Sequence, residues 1–412
     1  MSVETLSRQF WIFFTAALFF DFAIGLFFFL FNLYLLNLHF NERSIGIIAG
    51  ALTLGNVVGT VPVGILVRRF GLQKMFLLCF VGAPLISIFR TAFLTMPMQI
   101  ALAFLTGVAL SSWPVCFAPT IAKLTTEKNR VFAFSISFAT GIGTGTLAGL
   151  VGGSLPGLLK SAHRSASMGD GMRIVLICAS LLAMVGVWPI LRLKLGTPEK
   201  SERKGLQAFH PYLLRFLPAF AIWSFVTGSF IPFAPIFFQK HVGMSLQHVG
   251  MIFSASQLAQ VFAVLIAPLL YRRAGSVAGI ICAQLIAGVA IFSLCFGQSV
   301  HFILVAYLLF TAAQFSASPG FYGLLMSRLP DSDRSSASAV QNITGALVQA
   351  GSAALTGSLI VRFGYSTIFW TNALLAFASA IICFLLLSSF KSLSANRALE
   401  TGRSGPFGET AQ

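Results

Sequence analysis

One acidic residue of this chain lies in the middle of a long apolar run. The chain has 412 residues, of which 11 are Asp or Glu, and only Asp21 has long apolar stretches on both sides. If that run crosses a membrane, a charged aspartate there costs roughly 2.5–3.5 kcal/mol on insertion scales, and the low dielectric favours the neutral acid. Such a carboxyl can carry a proton, contact a cationic group of a ligand, or bond to neighbouring helices as a structural acid.

Side-chain amides and two tryptophans are the other groups in the apolar runs that could bind a ligand. Buried amides need hydrogen-bond partners, which either a ligand or a neighbouring helix can supply. Trp113 and Trp223 lie near prolines, which free backbone carbonyls where a cavity or a neighbour satisfies them. The candidates for lining a central cavity are Asn32, Asn56, Trp113, Trp223, Gln257, Gln260, Gln314, Gln341 and Asn342.

A second charged residue, Arg90, also lies within an apolar run. It lies near the end of that run, so we expect its stem to follow the apolar surface and its guanidinium to reach the water interface. The alternative is that Arg90 pairs with an acid in a cavity.

The histidines and cysteines argue against an enzyme or a metal site. The six histidines fall at the ends of apolar runs, and the six cysteines lie inside them without paired spacing. Such cysteines are typical of small buried apolar residues rather than of metal ligands or disulfides. The chain has no phosphate-binding GKS or GKT motif, which argues against ATP as an energy source. We expect no catalytic residue, metal or cofactor.

The composition predicts a protein with many membrane spans. The chain is 57% hydrophobic and 9% charged, with a mean hydropathy of +0.87, whereas a soluble domain has about 25% charged residues. The apolar residues come in blocks of about 20, which is the length that spans the hydrocarbon layer. The net charge of +16 does not indicate a nucleic-acid partner, because the basic residues lie at the ends of the blocks.

The blocks predict an all-α membrane protein with twelve transmembrane helices in two bundles of six. The bundles are residues 1–191 and 213–390, joined by a cytoplasmic linker at 192–212 and followed by a disordered cytoplasmic tail at 391–412. The predicted helices lie near residues 10–36, 44–67, 75–94, 97–122, 131–159, 174–191, 213–238, 249–271, 278–296, 302–325, 339–360 and 367–390.

An internal repeat supports the two-bundle prediction. A shift of 204 residues places Arg68, Arg69 and Gly71 of the stretch GILVRRFGLQK on Arg272, Arg273 and Gly275. The same shift holds over more than a hundred residues, and it also relates the pairs Gly46 and Gly250, Asn56 and Gln260, Glu127 and Asp331, and Arg130 and Arg334. A constant offset of this kind is typical of a parallel structural repeat.

The basic residues predict the orientation of the chain in the membrane. Most of the 27 lysines and arginines fall in the turns that share one side with both termini. The bias of Lys and Arg toward the cytoplasm then places both termini inside the cell. We expect a multi-pass protein of the cell (inner) membrane, a monomer whose partners are the lipid bilayer, a small-molecule substrate and a coupling ion.

The stretch between the second and third helices resembles the loop signature of the major facilitator superfamily of transporters. Gly64, Arg69, Gly71 and Lys74 fit or nearly fit that signature, and Arg68 stands where the family usually has an aspartate. The resemblance covers nearly the whole chain. It implies that the first helix lines a central cavity and that two halves rock around it.

The resemblance also implies a gate on the cytoplasmic side, where the family aspartate helps to hold that side closed. Because Arg68 replaces this acid, the acids of the next turns are possible substitutes, paired with arginines of neighbouring turns. The alternative is that all these charges are solvated markers of the cytoplasmic side. The candidate gate residues are Gly64, Arg68, Arg69, Gly71, Glu127, Arg130, Arg272, Arg273, Asp331 and Arg334.

Small residues line one face of the fifth helix. Gly141, Gly145, Gly149 and Gly153 are four residues apart, and this spacing lets two membrane helices approach closely. The resemblance implies that helices 2, 5, 8 and 11 form the seam between the halves, which would slide during transport. Static close packing is the alternative. The proline of the drug-antiporter signature is missing from this glycine run, so that subfamily is not supported.

Together these features predict a secondary active transporter of a small molecule. Alternating access driven by protons at Asp21 is the expected mechanism. A neutral or cationic, partly apolar substrate is favoured because no basic group in the cavity is evident. Export is favoured by the phenylalanine-rich helices and by the absence of a sugar-transporter signature. The alternatives are an uptake symporter for a small metabolite and a membrane sensor with the same fold. The sensor predicts a sizeable soluble segment, whereas the linker and tail are short.

Overall fold

The computed structural model describes residues 6–195, 211–297, 299–329 and 331–387, and these residues form helices and short turns without any strand. The helices of the first half are α1 (Arg8–Asn37), α2 (Glu42–Phe70), α3 (Leu72–Ala92), α4 (Met96–Leu124), α5 (Glu127–Ser161) and α6 (Met168–Arg192). The next four are α7 (Tyr212–His241), α8 (Leu246–Ala274), α9 (Ser276–Phe296) and α10 (Val300–Arg328).

The last helical stretch, Asp331–Leu387, is broken at Gly364, where a φ of +78° and a ψ of 176° are not helical. We call its two parts α11 (residues 331–363) and α12 (residues 365–387). Eleven helices in the described part of the chain are long and apolar enough to cross a membrane, and the last one contains this break. Counted on both sides of Gly364, the described chain has the twelve spans that the sequence predicts.

Equivalent positions of the repeat begin and end equivalent helices. α2 follows Asn41 and α8 follows Ser245, and each of these side chains accepts a hydrogen bond from the backbone N–H three residues later, as helix N-caps do. Both helices end at a glycine with positive φ, +83° at Gly71 and +84° at Gly275. Glycine adopts this conformation without strain, so the local sequence sets the same helix ends in both halves.

The helices form two bundles that meet along four of their members. In the first bundle, α1 packs against α5 and α6, and in the second, α7 packs against the α11–α12 stretch. Contacts between the bundles run mainly from α2 to α11 and from α5 to α8. Large apolar side chains such as Leu214, Phe262 and Leu265 are more than 60% exposed, which suits an outer surface that faces lipid. Residues 196–210 of the predicted linker and the whole predicted tail lie outside the described residues, so the domain limits stay a prediction.

Candidate functional site

The short turns between helices define two faces of the bundle. The terminal face contains the start of α1 at Arg8 and the turns at Gly71 and Gly275, and the far face contains the turns at residues 38–41 and 242–245. Helices α2, α5, α8 and α11 run between these faces. The candidate site lies along the interface that they form.

The contact between α2 and α11, which we call the first seam, is closed in its far-face part. A Cβ atom at Gly46 would lie 2.5 Å from the carbonyl oxygen of Ala353, and Gly357 lies against the backbone of Glu42. A side chain does not fit at such distances, so the glycines are what allow the two helix backbones to touch.

The contact between α5 and α8, the second seam, is closed in the same way. A Cβ atom at Gly149 would lie 2.9 Å from the carbonyl oxygen of Gly250, and one at Gly153 would lie 2.9 Å from the Cα of Gly250. The hydroxyl of Ser254 donates a hydrogen bond of 2.6 Å to the carbonyl oxygen of Thr146. Direct backbone contact and a hydrogen bond therefore join the halves at this seam.

The repeat relates one seam to the other. Gly250 is the equivalent of Gly46, and Gly153 is the equivalent of Gly357. Each seam therefore has a glycine near the start of one helix and a glycine in the far-face part of its partner, and both allow close backbone contact. Both seams lie toward the far face, because α2 and α8 begin there.

An ion pair lies at the far face beside the first seam. Nζ of Lys240, at the end of α7, donates a hydrogen bond of 2.7 Å to Oε1 of Glu42, at the start of α2. Glu42 is only 4% exposed, although it lies in the turn between the first two predicted helices. The pair joins the two halves, and we call it the far-face latch. The sequence did not indicate this ion pair, because Glu42 and Lys240 are 198 residues apart in the chain.

The helices separate on the terminal side of the first seam and leave a cavity of about 710 Å³. Asn56 of α2 and Asn342 of α11, two of the candidate cavity residues, line it together with Tyr322 of α10 and Gln349 of α11. The hydroxyl of Tyr322 donates a hydrogen bond of 2.6 Å to Oδ1 of Asn342. Sequence reasoning did not select Tyr322, although a phenol near the proline of an apolar helix was a possible signal.

A smaller pocket of about 230 Å³ lies next along α2 toward the far face and contains Arg90. The expectation that Arg90 reaches the water interface is wrong, because the side chain is 2% exposed and its guanidinium carbon lies 4.1 Å from the ring centroid of Phe31. Asn32, a predicted cavity residue, lines the same pocket and donates a hydrogen bond of 3.1 Å to the carbonyl oxygen of Pro232. We call this the Arg90 pocket.

Asp21 lies at mid-height of α1 and faces α5. A Cβ atom at Gly141 would lie 3.6 Å from Oδ2 of Asp21, so this glycine leaves room for the carboxyl rather than joining the second seam. Asp21 is half-buried, and no hydrogen-bond or ion-pair partner for it occurs among the described residues. The alternative role of Asp21, a structural acid that bonds to neighbouring helices, is therefore not supported by any bond among the described residues.

Among the glutamines of the candidate cavity residues, Gln257 and Gln314 have side-chain amides that contact a neighbouring helix. Nε2 of Gln257 lies 2.7 Å from where a Cβ of Gly145 would be, so Gln257 covers this glycine of α5. Nε2 of Gln314 donates a hydrogen bond of 3.4 Å to the carbonyl oxygen of Thr227. Gln260 is partly buried. Gln314 therefore forms a hydrogen bond between α10 and α7. Contact of these amides with a substrate stays a prediction.

The remaining cavity candidates lie in the interior of the bundles. Trp113 packs in an aromatic cluster, with ring centroids 5.0 Å from Phe20 and 5.7 Å from Phe80. Trp223 and Gln341 are buried, and their side-chain polar atoms have no hydrogen-bond partner among the residues that the structure describes. A cavity role for the three stays a prediction.

The predicted gate arginines lie apart on an open terminal face. Arg68, Arg69, Arg272 and Arg273 are exposed, and none pairs with an acidic side chain of the described chain. A Cβ atom at Gly64 would meet no atom within 4 Å. The terminal ends of α2 and α8 are therefore solvated in this conformation.

The second group of gate candidates is described only in part. Arg130 donates to the carbonyl oxygen of Ala122 over 3.5 Å, and Arg334 donates to that of Leu329 over 3.2 Å. The side chains of Glu127 and Asp331 lie outside the described part of the structure. A gate formed by these four residues stays a prediction.

A family model decides the class to which this helical architecture belongs. The model of the Major Facilitator Superfamily matches residues 13–353 and 216–407. The chain belongs to the major facilitator superfamily. As a member of this superfamily, it is a multi-pass membrane transporter with the fold for alternating access.

Solved transporter structures share the fold over nearly the whole chain. The nucleoside transporter NupG is 16% identical, with 93% of this chain and 100% of that chain covered and a TM-score of 0.75. The D-xylose-proton symporter is 16% identical, with 92% and 97% covered and a TM-score of 0.73. A bacterial homologue of the human lysosomal transporter Spinster is 13% identical, with 92% and 96% covered and a TM-score of 0.73. These identities show the fold alone, and no curated protein matches the chain.

Proposed function

We propose that this superfamily member is a secondary active transporter that couples the movement of one small molecule to protons. One observation carries the proposal. Both seams are closed near the far face, while a cavity of about 710 Å³ lies between the halves on the terminal side. A closed side next to an open cavity is one end state of a cycle in which two repeats rock around a central site.

The orientation of this end state follows from the basic turns. If Arg68, Arg69, Arg272 and Arg273 lie in the cytoplasm, the terminal face is the inner face of the cell membrane. Both termini are then cytoplasmic, and the conformation is open to the inside. We propose that the closed terminal face of the other end state brings these turns together, and that the chain works as a monomer.

Asp21 is our candidate for the proton-carrying group. It is half-buried at mid-height of α1, and no described residue offsets its charge. A carboxyl without a cationic partner at this depth is held at lower cost when a proton neutralises it. Gly141 leaves space beside it. Contact with a cationic group of the substrate is the alternative role.

The direction and the substrate class are separate questions. Export is the expectation from the phenylalanine-rich helices, and uptake by symport is the alternative. The preference for a neutral or cationic compound assumed that no basic group lines the pathway, and Arg90 removes that assumption. The polar groups of the large cavity, Asn56, Tyr322 and Asn342, suit hydrogen bonding to a substrate in either direction.

A transport assay on Asp21→Asn tests the proposal. A ligand is first found by a thermal-shift screen of the purified protein at two pH values, and the best hit is then followed into vesicles with a pH gradient in either direction. We expect the variant to lose gradient-driven accumulation while it still exchanges substrate. Asp170→Asn is the matched control, because this exposed acid bonds to Ser167 in a far-face turn. Unchanged accumulation and unchanged pH dependence in Asp21→Asn would rule out its coupling role.

A further inference from the structure

The Arg90 pocket contains a buried guanidinium that the chain itself does not neutralise. Arg90 is 2% exposed, and its Nε and Nη1 atoms have no hydrogen-bond acceptor among the described residues. No carboxylate in that part of the chain pairs with it. The ring of Phe31 offers a cation–π contact at 4.1 Å, but such a contact does not replace hydrogen bonds to a buried charge.

The end of α3 is held in place, so Arg90 cannot easily leave the pocket. Nε2 of Gln99 donates to the carbonyl oxygens of Arg90 and Phe93 over 2.6 and 2.7 Å. Gln99 is fully buried. These bonds fix the backbone from which the arginine extends, and they keep an uncompensated charge inside the membrane.

The walls of the pocket are apolar and come from both halves of the transporter. Phe31 and Leu52 belong to the first half, and Pro232 and Phe253 belong to the second. The ring centroids of Phe29 and Phe253 lie 5.1 Å apart across the interface. A molecule in this pocket would contact both halves at once, which is what a substrate of an alternating-access transporter must do.

The charge of the pocket limits its ligand. One guanidinium balances one negative charge, and no second cation lines the pocket in the described chain. A dianion would leave a buried net charge, which is costly. A planar carboxylate matches the donor geometry of a guanidinium, and an apolar body matches the phenylalanine and proline walls.

We infer that the Arg90 pocket binds the carboxylate of an amphipathic organic monoanion, with its aromatic or aliphatic body against Phe31 and Phe253. The inference rests on the proposed function, because it makes organic monocarboxylates the substrate class of the transporter. It also gives the buried arginine of this membrane protein a role. Without a ligand the guanidinium has no carboxylate partner in the described chain, and the ligand supplies one.

Calorimetric titration in nanodiscs tests the site with matched acids and amides. Benzoate and indole-3-acetate are the acids, and benzamide and indole-3-acetamide are their neutral counterparts. We expect the acids to bind the wild-type protein and each amide to bind at least about tenfold more weakly, because hydrogen bonds to charged groups are the stronger ones. Equal binding of acids and amides overturns the inference.

Two variants and a control separate binding from folding. Arg90→Met is expected to lose at least about tenfold in affinity for the acids, while without ligand it melts at or above the wild-type temperature, because an uncompensated buried charge is removed. Arg90→Lys keeps the charge and should retain part of the affinity. Arg164→Gln removes an exposed far-face arginine and should bind as the wild type does. Wild-type affinity in Arg90→Met, or a large fall in its melting temperature, contradicts the inference.

Three further outcomes identify the source of the anion and separate this inference from the transport proposal. Displacement of benzoate by inorganic phosphate at equal concentration would overturn the choice of a carboxylate. Loss of benzoate binding in nanodiscs with anionic lipid would assign the pocket to a lipid headgroup and overturn the inference as well. Binding that depends on Arg90 without carriage of the acid into vesicles would leave the site standing but reject monocarboxylates as substrates. A different compound carried in an Asp21-dependent way would then keep the transport proposal intact.

Discussion

The far side and the terminal side of the same four helices differ in how they are held. Near the far face, α2 and α11 touch through Gly46 and Gly357, and α5 and α8 touch through Gly250. The latch between Glu42 and Lys240 adds an ion pair there. On the terminal side α2 and α11 stand apart, with a cavity between them that Asn56, Tyr322 and Asn342 help to line.

The comparison shows that glycine packing, rather than charge, does most of the closing. The far face has direct backbone contacts at two seams related by the repeat, and one ion pair at the edge. The terminal face has four exposed arginines at its helix ends and no comparable contact in the described chain. In a membrane, helices associate through close packing and hydrogen bonds because lipid is as apolar as the side chains.

The largest expected effect comes from a side chain inserted into a seam. Gly250→Val places methyl groups against the backbone of Gly149 and Gly153, and overpacking of this kind costs about 1–3 kcal/mol. We expect the far face to open about tenfold more often or more, since 1.4 kcal/mol is a factor of ten. The measurement is labelling of a cysteine at Ala49, in the Arg90 pocket, by a membrane-impermeant thiol reagent, relative to protein without that cysteine.

The matched control for this substitution is Gly143→Val on α5. A Cβ atom at Gly143 would meet no atom within 4 Å, and the residue is exposed. Labelling at Ala49 should stay at the wild-type level in this variant. Equal labelling in Gly250→Val and Gly143→Val would show that the seam glycines do not hold the far face closed.

A smaller effect is expected from the far-face latch. Glu42→Gln removes the ion pair with Lys240, which is 55% exposed, and partly exposed pairs contribute up to about 1 kcal/mol. We expect labelling at Ala49 to rise about fivefold or less. Lys240→Gln should give a larger rise, because it leaves the buried carboxylate of Glu42 without a partner. The double variant should give less than the sum of the two single effects. Fully additive effects would show that the two residues do not act as a pair.

The smallest effects are expected when one hydroxyl is removed, either on the closed side or on the open side. Ser254→Ala removes the hydroxyl that bonds to the carbonyl oxygen of Thr146 in the second seam. This carbonyl lies inside α5 and keeps its backbone N–H donor, so the loss costs about 0.5 kcal/mol, the low end for one hydrogen bond. Tyr322→Phe leaves Oδ1 of Asn342 facing the open cavity, where water can replace the lost bond. Melting temperatures measure both. A larger fall for Tyr322→Phe than for Ser254→Ala would contradict the assignment of open and closed sides.

Much of the fold could be predicted from the sequence, and less of the site. The break at Gly364 falls between the eleventh and twelfth predicted helices, and the repeat placed Gly71 and Gly275 at equivalent turns. Asn56 and Asn342 line the large cavity, and their role in substrate binding stays a prediction. The prediction that Arg90 reaches water was wrong. The sequence indicated its position along α3, but the aromatic rings that cover it belong to another helix, α1.

The sequence by itself determined the spans, the repeat and the superfamily. A hydrocarbon layer demands about 20 apolar residues per crossing and backbone hydrogen bonds satisfied within each helix, and both requirements are local. Only the tertiary structure decided which face is closed, what neutralises Glu42, and that nothing in the described chain neutralises Arg90. The physical reason is that apolar side chains suit lipid and protein neighbours equally, so rotation and partner choice depend on close packing between residues far apart in the chain.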